Sequence, residues 1–209
     1  MFTKTQLLAL LGALSIASAQ SKISFGPYYS LGAVQGTYIA ESDTTLYPGK
    51  TPSPQQNRMV LWPGMGTDAI PGTSNGALVQ AIVSSSGSEA AGLCGAKSGQ
   101  WCVFASTLNG VEGQVSGKAV PMDASSGVNV HYKYNTTTQK YDQTVSVDGK
   151  VVSTLSTLSG KGIGWGTAVE CQDQCSGVVN AHSKSKAQTK PRGVRAGSAN
   201  MNWNTSTRL

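Results

Sequence analysis

Residues 128–158 alternate apolar and polar side chains with a period of two, and that pattern confines the chain to extended structure. Val128, Val130, Tyr132 and Tyr134 fall on one face of a segment, with Asn129, His131 and Lys133 on the other. After a polar loop from Asn135 to Lys140, Tyr141, Val145 and Val147 alternate with Asp142, Thr144 and Ser146. Asp148-Gly149 then marks a two-residue hairpin, because both central positions of a type I′ turn need positive φ. Val151–Leu158 returns as a third strand. A helix would repeat every 3.6 residues, and no stretch of the body holds that period.

The same alternation predicts strands at Met59–Trp62, Ala77–Val83, Trp101–Leu108 and Ile163–Cys171, with Gly32–Ile39 as another candidate. Pro48–Gln56 and Ser84–Gly92 read as surface loops. Charged residues are scarce and glycines number 25, a composition that depresses helix and suits turns and strands. Many short strands with turns between them predict an all-β, antiparallel β-sandwich.

Residues 1–19 read as a secretory signal peptide. Lys4 lies before an apolar run from Leu7 to Ile16, and Ala17-Ser18-Ala19 forms a small-residue cleavage site before Gln20. The run is too short to span a bilayer, and no later segment is long and apolar enough. The expectation is therefore a secreted, extracellular protein with no membrane anchor after cleavage, whose single domain covers residues 20–182. Export turns Cys94, Cys102, Cys171 and Cys175 into disulfide candidates. Four cysteines allow three pairings; Cys94–Cys102 and Cys171–Cys175 are favoured, since each pair brackets a short polar stretch. Neither has CxxC spacing, and His131 and His182 stand apart, so no metal is expected. Asn135 and Asn204 begin glycosylation sequons.

The net charge of +6 resides wholly in residues 183–209, where Lys184, Lys186, Lys190, Arg192, Arg195 and Arg208 meet no acid. The body before it is neutral, so the charge predicts no nucleic-acid partner. This end lacks alternation and reads as a basic, unstructured tail. The abrupt change after Val178–His182 is also what an unusual splice or a wrong gene model would produce.

No GxSxG elbow, HExxH or Walker loop is present, and no cofactor is expected. In GKGIGWG, no helix follows the glycines, so a phosphate cradle does not fit; they predict a bare strand face to which something lies close. On Ile163–Cys171, Gly164, Gly166, Ala168 and Glu170 share that face, which leaves room for a ligand before the Glu170 carboxylate. Gln80 shares a face with Leu78 and Ile82, a polar amide among apolar neighbours, and is either a structural clamp or a site group.

Trp62-Pro63-Gly64-Met65-Gly66, Leu78-Val79-Gln80-Ala81, Gly99-Gln100-Trp101, Trp165–Glu170 and Val178–His182 occur in an order that resembles the eqolisins, the fungal glutamic peptidases. That resemblance implies a concanavalin A-like jelly roll, a fungal source, and Gln80 and Glu170 as a catalytic pair. Their chemistry is coherent: a carboxylate serves as general base and acid, and an amide N–H stabilises an oxyanion. The competing reading is a binding module for cell-wall glycans, with Trp62, Trp101, Trp165 and the tyrosines at 28, 29, 132, 134 and 141 as candidates for a stacking platform. Tyr132, Tyr134 and Trp165 are equally readable as core, and Gly164 and Gly166 are substrate-binding positions. A non-catalytic structural secreted protein is the third. The partner is an extracellular polypeptide or glycan, met by a monomer.

Overall fold

The computed structural model describes residues 23–53, 58–87 and 92–172, together with the backbone of residues 178–179, 183–191, 197–199 and 207–208. Its strands are β1 (Ile23–Ala33), β2 (Ile39–Tyr47), β3 (Arg58–Thr67), β4 (Ala77–Ser85), β5 (Trp101–Asn109), β6 (Gly113–Ser116) and β7 (Val120–Met122). The chain continues through β8 (Val128–Asn135), β9 (Lys140–Val147), β10 (Lys150–Leu158) and β11 (Gly162–Gln172). Strands β12 (Val178–Val179), β13 (Ser183–Pro191), β14 (Gly197–Ala199) and β15 (Thr207–Arg208) follow. The protein is an antiparallel β-sandwich, made of one nearly closed sheet in the order β10-β9-β8-β2-β11-β3-β4-β5-β6.

The sheet folds on itself where β2 meets β11, which pair at a single position, Gly162↔Ile39. Tyr141 pins that corner: its phenol donates to the Ile39 carbonyl and accepts from the Gly162 N–H at 2.9 Å. Burial pushes this phenol well above its ordinary pKa, so it stays a donor. A Cβ on Gly162 would run into the Met65 side chain and this phenol, so glycine is needed there. On the opposite flank, Ser153 Oγ accepts from Ala105 N at 3.1 Å, Gln143 Nε2 donates to Ser106 O at 3.1 Å, and Thr107 shares a 2.8 Å bond with Thr157. These ties draw β9 and β10 over β5.

The core lies between the two halves. Val128, Val130 and Tyr132 from β8 and Tyr141 and Val145 from β9 face Leu61, Met65, Val79, Ala81, Val83, Val103 and Trp165. This is the apolar face that alternation predicts for β8 and β9. The hairpin also forms as expected, with φ of 47° at Asp148 and 82° at Gly149. The Ser126 side chain and the Gly127 N–H hold the Asp148 carboxyl below the usual carboxylate range. Its contribution is complete above the ordinary carboxylate pKa, declines as pH falls below it, and is gone once pH has passed through the lowered value.

Four expectations need correction. Ser84 and Ser85, read as the start of a surface loop, are the last residues of β4, and they are buried together with Ser86. Gly32–Ile39 is not one strand: β1 ends at Ala33, and a bend with Gly36 at φ 64° precedes β2. Trp101 is no surface platform; it has no exposed area and its indole N–H donates to Gly49 O at 2.8 Å. Residues 183–191, read as a tail, run antiparallel to β2 from Ser183↔Tyr47 to Pro191↔Ile39. A sheet edge offers unpaired backbone groups to any extended chain, whatever its side-chain charge, so composition does not register this pairing.

Candidate functional site

Alternate residues of β3, β4, β5 and β11 point away from the core and line a cleft. Its polar part, of about 440 Å³, is lined by residues including Val60, Leu78, Gln80, Phe104, Glu170 and Gln172. Its apolar part, of about 670 Å³, is bounded by Phe25, Tyr28, Trp62, Leu78 and Ile163 over Gly64, Gly66, Gly164 and Gly166. Leu78 lines both parts. Trp62 joins them, because it lines the apolar part and donates Nε1–H to Glu170 Oε2 at 3.0 Å.

Gln80 and Glu170 thus open into one cavity. Gln80 is 6% exposed, and its amide makes no hydrogen bond among the described residues. Its cross-strand neighbour Ser106 is occupied elsewhere, donating to Val115 O at 3.3 Å and accepting from Gln114 Nε2 at 3.1 Å. Neither atom of this amide is fully enclosed without a partner, so the amide reaches the cleft and can bond to a ligand there. Glu170 is held on both oxygens: Oε2 by Trp62 and Oε1 by Gln172 Nε2 at 2.7 Å. Gln80 stands opposite Gly64 and Glu170 opposite Val60. By strand spacing this separates their backbones by about 10 Å across the sheet and about 13 Å along it. Both side chains must therefore extend across Trp62 to meet one substrate bond.

The glycine row has a second cause besides a ligand. A Cβ on Gly166 would lie 2.9 Å from Tyr29 O, and one on Gly164 would lie 3.3 Å from Gly32 O. What lies close to these two is the backbone of β1, which walls the apolar part of the cleft. Gly66 differs: a Cβ there would meet nothing within 4 Å.

Comparison with solved structures finds a glutamic peptidase. Scytalido-glutamic peptidase with a peptide-based transition-state analogue is similar at 11% identity and a TM-score of 0.42, over 82% of this chain and 87% of that one. Its structure with a transition-state analogue inhibitor gives 10% and 0.44, over 90% and 88%. A tail fibre protein from an E. coli phage gives 16% and 0.28, over 65% of this chain and 15% of that one. No protein-family model matches the chain, and no curated protein does.

Of the other expected residues, Cys94 and Cys102 form a disulfide with Cα atoms 5.9 Å apart. Cys171 is disulfide-bonded too, while Cys175 and Asn204 lie outside the described residues, as does the signal segment. Asn135 sits at the end of β8, where its Oδ1 accepts from Thr137 N at 3.0 Å. His131 pairs with Glu41 at 2.8 Å. Among the described residues no three of His, Cys, Asp and Glu gather as metal ligands. Residue reading did not anticipate Phe25 or the strand β1 that carries it beside Tyr28, because β1 contains Gly26 and Pro27 and does not alternate. An edge strand tolerates that proline.

Proposed function

We propose that this chain is a secreted, glutamic-peptidase-like hydrolase that works in acid on a polypeptide lying along the cleft. The observation that carries the reading is the opening of a held carboxylate, Glu170, and an unpartnered amide, Gln80, into the same cavity. Glu170 takes a proton from the attacking water, Gln80 N–H donates to the oxyanion of the tetrahedral intermediate, and Glu170 returns the proton to the leaving amine. Disulfide-bonded cysteines support export, and Asn135 is offered as a glycosylation site.

The glycan-binding reading keeps Trp62 and the exposed Phe25 and Tyr28 but loses Trp101 to the core. The walls of the larger part of the cleft are mainly apolar. That favours a peptide's apolar side chains over sugar hydroxyls, which need polar partners. The assay is casein cleavage in acid beside retention on cell-wall glucan, for the wild type and Gln80→Ala. Cleavage that Gln80→Ala abolishes in a folded protein supports the pair. Glucan retention without cleavage would overturn it.

Gly66 supplies an independent prediction. Its backbone is not left-handed and the space before it is open, so Gly66→Leu should enter the cleft without strain. The expected result is a KM for apolar peptides raised at least about tenfold, at a stability within about 0.5 kcal/mol of wild type. Peptide kinetics and thermal melting check both parts.

A further inference from the structure

We infer that Gln172 is a positioning residue for Glu170, with its amide oriented by Arg58; this rests on the reading of Glu170 as the general base. Glu170 and Gln172 are two apart on β11 and project to the same side of the sheet, while Cys171 between them faces the core. Gln172 Nε2 donates to Glu170 Oε1 at 2.7 Å. Arg58, the cross-strand partner of Gln172, donates Nη1–H to Gln172 Oε1 at 3.3 Å.

The direction of this chain follows from donor chemistry. A glutamine amide can present either its oxygen or its NH₂ to a neighbour, but a guanidinium only donates. Arg58 therefore takes the amide oxygen and leaves the NH₂ for Glu170. With the amide reversed, its oxygen would face the carboxylate and repel it. Trp62 holds the other carboxylate oxygen, so the carboxylate plane is set from two sides, with further lone pairs left to accept a proton from water. Holding a base in one orientation acts on the chemical step and leaves substrate binding unaffected.

The test uses full-length secreted protein with Gln172→Met, Arg58→Met and the double substitution. A hydrogen bond to a charged group corresponds to a factor of about ten to a hundred. Gln172→Met should lower kcat by that factor with KM within about twofold. Arg58→Met should lower kcat by less, and the double variant should lose less than the product of the two single losses, because the bond from Arg58 to Gln172 acts on Glu170 through Gln172. Multiplying losses would overturn the relay. So would full kcat in Gln172→Met when Glu170→Gln is inactive, a result that leaves the base assignment standing. If Glu170→Gln keeps wild-type turnover, or the wild type has none, the base reading fails instead. The geometry is then read from hydrogen exchange of the Trp62 indole N–H, which Gln172→Met must accelerate. An unchanged exchange rate would overturn the relay.

Discussion

Glu170→Gln is expected to lower turnover by about 10²–10⁴-fold, the usual contribution of a general acid–base group. The substitution keeps shape and size but removes the proton acceptor. It also disturbs the local bonding in a predictable way. Glu170 accepts from two donors, the Trp62 indole and the Gln172 amide. A glutamine offers one acceptor side and one donor side, so one of those bonds is lost whichever way it turns. The side chain lies at the cleft, outside the core clusters, and the folded state should survive. Acid cleavage of casein and a thermal melt, run on the same preparation, separate the two effects. Wild-type cleavage by Glu170→Gln would remove this residue from the chemistry.

Trp101→Ala should destabilise the protein by about 3–5 kcal/mol, the range for deleting a fully buried large aromatic side chain. The indole is enclosed by the core and bonded to Gly49 O. Its neighbour Cys102 is tied to Cys94. Against a typical total of about 5–15 kcal/mol, that loss is large enough to lower the amount of folded protein recovered. Denaturant unfolding gives the measurement, as a lowered midpoint. Unchanged stability with lost glucan retention would restore the stacking platform that burial argues against. Trp62→Ala should show the opposite pattern, since Trp62 borders the cleft and its indole serves Glu170.

Much of the site was legible residue by residue. The period of two places Gly164, Gly166, Ala168 and Glu170 on one side of their strand, and Leu78, Gln80 and Ile82 on one side of theirs, as the cleft linings confirm. The amide of Gln80 stood out as polar in apolar company. Arg58 and Gln172 did not stand out, because they are neighbours only through the register of β3 against β11, across 114 residues of sequence. β2 was missed for a different reason. Its inward positions include Ser42 and Thr44, both buried, and small hydroxyl side chains blur the contrast that marks a strand.

The sequence by itself determined the class of structure and the face each side chain takes on its own strand, because pleating is a local property that repeats every two residues. It also determined the hairpin at Asp148-Gly149, where the backbone conformation needs only those two residues. Only the tertiary structure decided which face became core and which became cleft. Trp101 went inside because its side of β5 is covered by β9 and β10, and Trp62 stayed at the cleft because, among the described residues, no strand covers its side of β3. The bare row at Gly164 and Gly166 received β1 as its wall for a similar reason. Strand order is chosen by burial between segments far apart in the chain, and no local pattern records it.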